Sequence, residues 1–146
     1  MDLQLKEKRA FVSGSTQGIG FAIAKKLLQE GTSVIINGRT EHRVNEALQQ
    51  LRTEVPGADV TGIAADFANA DDVNNIVNAL NDVDILINNV GIFGLDDFFS
   101  LPDETCYRYF EVNLMSGMRL SRKLLPKMIE KKQGRIISVS YTHLRA

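Results

Sequence analysis

Ala10-Phe11-Val12-Ser13-Gly14-Ser15-Thr16-Gln17-Gly18-Ile19-Gly20 is a short apolar run that passes without a spacer into a G-x-x-x-G-x-G turn. Ile19, Ile23, Leu27 and Leu28 then recur at helical spacing as far as Gly31, which suits a helix C-terminal cap. Strand, glycine turn and helix in that order begin a β-α-β unit. Glycines allow a tight turn and let a phosphate approach the backbone, and a helix N-terminus offers unpaired N–H groups with a partial positive charge. Ser13, Ser15 and Thr16 are expected to add hydroxyl donors. Such glycine spacing also occurs in plain structural turns, and it is the placement directly after the first strand that favours nucleotide binding.

The same alternation continues outward. Ala10 to Ser13, Ser33 to Asn37, Val60 to Ala64, Ile85 to Asn88 and Arg135 to Ser138 read as strands. Val34-Ile35-Ile36 and Ile85-Leu86-Ile87 are continuously apolar, as in parallel strands covered on both faces. Glu41 to Thr53, with Val44, Leu48 and Leu51 on one face, and Asn69 to Leu80, with Val73, Ile76, Val77 and Leu80 inward, read as amphipathic helices. Glu104 to Lys132 reads as a longer helix that Pro126 bends or divides. The pattern predicts a doubly wound, parallel α/β sheet.

Size and composition fit one domain with its own core. The chain has 146 residues, of which 44% are hydrophobic and 24% charged, values of an ordinary globular protein. A net charge of -1 gives no basic field of the kind that nucleic-acid binders use. No apolar run is long enough to span a membrane, and the charged Lys6-Glu7-Lys8-Arg9 stretch is unlike a secretory signal, so a cytoplasmic protein is expected. Cys106 is the only cysteine and reads as a small apolar helix residue. His42 and His143, the only histidines, lack partners at metal-ligand spacing, and no metal is expected.

Beyond the glycine turn, Ala65-Asp66-Phe67 follows the third strand, Asn88-Asn89-Val90-Gly91 follows the fourth, and Val112-Asn113-Leu114 lies within the long helix. Together these segments resemble the short-chain dehydrogenase/reductase family over residues 6 to 138. The resemblance implies a Rossmann-type fold. It also implies a nicotinamide dinucleotide site formed by Ser13, Gly14, Ser15, Thr16, Gln17, Gly18, Ile19, Gly20, Asp66, Phe67, Asn89, Val90 and Gly91. Asp66 would contact the adenine ring, and Val90 stands where the family usually has alanine, adding volume near the cofactor. Asn113 matches the family's catalytic asparagine, which supports a proton-relay water.

At the end of the second strand, where NAD enzymes of this type carry an acid that binds the adenosine ribose, the chain has Gly38 followed by Arg39. A guanidinium there can hold a 2'-phosphate, which points to NADP with NAD as the alternative. The implied reaction moves hydride between nicotinamide and a carbonyl or secondary alcohol of a small-molecule substrate, in a homo-oligomeric parent protein. Two other readings stand beside it: a regulatory module that binds dinucleotide without chemistry, and a structural domain whose glycine turn binds nothing.

The register from Asn113 through Gly134-Arg135-Ile136-Ile137 puts the family's serine at position 141, where Tyr141 stands. Tyr141 and Arg145 do not match the family's tyrosine-lysine pair, because the position is too early and arginine replaces lysine. Val139 to Ala146 can be encoded by GTC TCT TAT ACA CAT CTC CGA GCC, which resembles the adaptor DNA of transposon-prepared sequencing libraries. The expectation is therefore an incomplete dinucleotide-binding domain over 1-138 and a non-native tail over 139-146, the chain itself being inactive.

Overall fold

A computed structural model describes residues 3–140. Strands β1 (Arg9–Val12), β2 (Ser33–Gly38), β3 (Val60–Ala64), β4 (Ile85–Asn88) and β5 (Arg135–Ser138) form one parallel sheet in the order β3-β2-β1-β4-β5. Helices α1 (Gly18–Gln29), α2 (Glu41–Glu54), α3 (Ala70–Ala79), α4 (Asp103–Phe110) and α5 (Ser116–Glu130) connect them. This is the doubly wound sheet that the alternation of elements predicts.

Side chains alternate across a strand, and the three inner strands use both faces. Ala10, Val12, Val34, Ile36, Ile85 and Ile87 pack with Ala24 and Leu28 of α1 and with Val44, Ala47 and Leu51 of α2. Phe11, Ile35 and Leu86 point the other way, onto Val73 and Ile76 of α3 and Leu120, Leu124 and Met128 of α5. Burial on both sides is why these strands read as unbroken apolar runs.

The structure refines the reading of two helices. The inward stripe of α1 is Gly20, Ala24 and Leu28, whereas Ile19 is 47% exposed. A Cβ on Gly20 would lie 2.5 Å from the Gly14 carbonyl oxygen, so only glycine lets the helix start this close to the turn. The long helix is interrupted at Glu111–Met115 by a π-helical turn, not at Pro126, which α5 contains. Asn113 sits in that wide turn, and an Arg119–Glu111 ion pair reaches across it. Cys106 is a helix residue, as expected, and lies exposed on α4.

The Val139 N–H donates to the Asn88 carbonyl at 2.9 Å, and its side chain packs against the α1/α2 face of the sheet. Residues 141–146 of the proposed tail, including Tyr141, His143 and Arg145, lie outside the described residues. Among the described residues, no helix is long and apolar enough to cross a membrane.

Candidate dinucleotide site

Register aligns the C-terminal ends of the inner strands: Val12 pairs with Ile36 on one side and Ile87 on the other. The chain winds from β1 through β2 to β3 in one direction, while β4 and β5 lie in the other. A crevice opens at such a switch point, beyond the carboxyl ends of the strands. Here it is a groove of about 530 Å³. Twelve of the expected residues line it: Gly14, Thr16, Gln17, Gly18 and Ile19 from the turn, Gly38 and Arg39 after β2, Asp66 and Phe67 after β3, and Asn89, Val90 and Gly91 after β4.

Ser13, Ser15 and Gly20 lie behind the groove, and the expected phosphate-donor role of the two serines is corrected by their bonding. Both are fully buried. Ser13 Oγ donates to the Ile87 carbonyl at 3.3 Å and accepts from the Asn89 and Val90 N–H groups at 2.9 and 3.0 Å. Ser15 Oγ donates to the Val12 carbonyl at 2.6 Å and accepts from the Asn37 N–H at 2.9 Å. A hydroxyl has one proton, and each is already committed to the backbone. These serines fix the turn to β4 and β2.

Asn37, which sequence reasoning passed over, is the hub of this scaffold. Its Oδ1 accepts from the Gly14 N–H at 3.0 Å, and its Nδ2 donates to the Ile63 and Ala65 carbonyls at 3.1 and 3.2 Å. Asn89 works from the other side, its Nδ2 donating to the Ser13 and Gly14 carbonyls at 3.1 and 2.9 Å. The signal was present in the sequence: an amide closing an otherwise apolar strand needs partners once buried.

The front of the turn is open. Gly18 has φ +60°, with nothing within 4 Å of where a Cβ would stand, and Gln17 gives the N-terminus of α1 no side-chain cap. The first-turn N–H groups therefore face a space that a phosphate can enter. Arg39 and Arg43 border the same groove, and neither forms an ion pair among the described residues. Arg43 was not foreseen. Thr40 caps α2 by accepting from the Arg43 N–H at 3.4 Å, which places Arg43 in the first turn after Arg39.

Asp66 uses Oδ1 to accept from the Ala68 N–H at 2.9 Å, shaping the bend after β3. Phe67 is only 2% exposed, so it anchors that bend in the core while touching the groove. Val90 packs on the α3/α5 face, with its Cα 3.1 Å from a Cβ placed on Gly14. Asn113 does not line the groove. Its Oδ1 accepts from the Ile92 N–H at 2.7 Å and its Nδ2 donates to the Ile92 carbonyl at 2.9 Å, clamping the segment that does. Further along, the Tyr109 hydroxyl donates to Asp96 Oδ2 at 2.9 Å, which pushes the phenol above its ordinary pKa.

A parallel doubly wound sheet with a glycine turn and an open groove at its switch point defines a Rossmann-type nucleotide-binding protein. The short chain dehydrogenase family model matches residues 8–143, and the chain belongs to that family. It is 47% identical over 140 residues to the uncharacterized oxidoreductase YvaG of Bacillus subtilis, covering 96% of this chain and 53% of that protein. Among solved structures, L-sorbose reductase from Gluconobacter frateurii, complexed with NADPH and L-sorbose, superposes with a TM-score of 0.87 at 32% identity, covering 94% of this chain and 54% of that one. An actinorhodin polyketide ketoreductase with NADPH gives a TM-score of 0.84 at 31% identity, with 93% and 54% covered. The chain thus spans about half the length of the proteins it matches.

Proposed function

We propose that this chain is the cofactor-binding part of an NADP-dependent oxidoreductase that transfers hydride between nicotinamide and a carbonyl or secondary alcohol. The observation that carries the proposal is the pair of guanidiniums, Arg39 and Arg43, that form no ion pair among the described residues and border the groove where β2 closes on Gly38 instead of a carboxylate. The NADPH complexes of L-sorbose reductase and the ketoreductase support the same cofactor.

In this reading the open N–H groups at Gly18 and the start of α1 hold the pyrophosphate, and Arg39 with Arg43 holds the 2'-phosphate through charge-assisted hydrogen bonds. Asp66 and Phe67 border the adenine, and Asn89, Val90 and Gly91 form the opposite wall. When bound, the nicotinamide supplies or accepts the hydride. Asn113 keeps that wall in place through Ile92 and belongs to the proton-relay side of the site. Of the four catalytic positions implied by the family, the chain fills Asn113 alone, so by itself it turns over no substrate. A cytoplasmic, homo-oligomeric whole protein acting on small molecules belongs to the same proposal.

Titrating the chain with NADPH and NADH tests the assignment. Arg39→Ala should weaken NADPH binding by about tenfold, the worth of one charge-assisted contact, and leave NADH binding unchanged. Equal losses for both cofactors would sink the NADP preference.

A further inference from the structure

Gly38 is glycine for reasons of space, not of backbone conformation: it is absent from the glycines with positive φ, which are Gly14, Gly18, Gly31 and Gly57. A Cβ built on it would overlap Thr16 Cγ2, and would stand 3.2 Å from Val44 Cγ2 and 3.4 Å from Thr16 Oγ1. Val44 cannot retreat, since it is 3% exposed in the core and its other methyl already fills the space beside Gly62. Thr16 is the partner that must give way, and it is half-buried on the wall of the groove.

We propose that Thr16 is a determinant of cofactor specificity that acts through Gly38, its methyl group occupying the space in which an acidic side chain at position 38 would have to begin. The inference rests on the cofactor reading above and deepens it. An acid at the end of β2 is the device that accepts hydrogen bonds from the adenosine ribose and repels a 2'-phosphate. Thr16 bars that device. A side chain at 38 drives the β-branched threonine out of its rotamer, and such a residue has few staggered alternatives. Positions 16 and 38 are therefore coupled, and a change at 38 alone disrupts the groove instead of converting it.

A double-mutant cycle on the full chain tests this, with Thr16→Ser removing the methyl and keeping the hydroxyl. Gly38→Asp alone should lower Tm by about 4 °C, Thr16→Ser alone by about 1 °C or less, and the double variant should regain at least half of the loss. Only the double variant should shift the NADH to NADPH affinity ratio, by about tenfold toward NADH. Additive Tm changes would overturn the contact between the two positions. Equal ratio shifts in Gly38→Asp and the double variant would overturn the role of Thr16 in specificity. Should Gly38→Asp fail to fold, Gly38→Ala, which adds the Cβ alone, repeats the Tm cycle with the same expected sign. A wild-type chain that folds yet binds neither cofactor would overturn the cofactor reading and the specificity role together, while the Tm cycle still reports the contact.

Discussion

Asn37 places one buried amide against three backbone groups from two neighbouring segments. Its side chain bonds the Gly14 N–H, the Ile63 C=O and the buried Ala65 C=O. Asn37→Ala should therefore destabilise the chain by about 2–3 kcal/mol in denaturant unfolding, because stranded buried groups cost more than a lost hydrogen bond contributes. A change below about 0.5 kcal/mol would show that water replaces the amide at no cost. The sequence displays Asn37 only as a strand end, since its partners at Ile63 and Ala65 meet it through the β2–β3 register. Arg43 was hidden for a related reason: its nearness to Arg39 comes from how the Thr40 cap starts α2. Ser13 and Ser15 were visible as hydroxyls beside a phosphate turn, but only the fold shows which way their protons point.

At the scale of elements, hydrophobic periodicity gave the right helices and missed what small residues and polar clamps do to them. In α1 the buried stripe runs through Gly20 and Ala24, so the larger Ile19 turns toward the groove. Proline is the usual breaker, yet Pro126 sits within α5 and the break occurs in the π turn at Glu111–Met115. That turn carries Asn113, and its side chain bonds both main-chain groups of Ile92. Asn113→Ala should speed hydrogen exchange at the Ile92 amide by about tenfold or more while leaving the amides of α5 unchanged. Unaltered protection at Ile92 would mean that the loop holds its position without the clamp.

For the whole molecule, the doubly wound topology was legible because each continuous apolar run alternates with an amphipathic segment, as in a parallel sheet covered by helices on both faces. Switch-point chemistry was legible too, since the segments after β1, β2, β3 and β4 carry the residues that converge on one groove. Fine bonding within the groove was not, because it depends on registers between strands distant in sequence. The central claim is that this groove holds a nicotinamide dinucleotide with its 2'-phosphate at Arg39 and Arg43. Mapping amide chemical-shift changes in the isotope-labelled chain during NADPH titration tests it most directly. The account predicts saturable shifts concentrated at Gly14, Gly18, Arg39, Arg43 and Gly91, with those at Arg39 and Arg43 much smaller for NADH. A folded chain whose groove amides stay still at millimolar NADPH, or whose shifts cluster elsewhere, would contradict it.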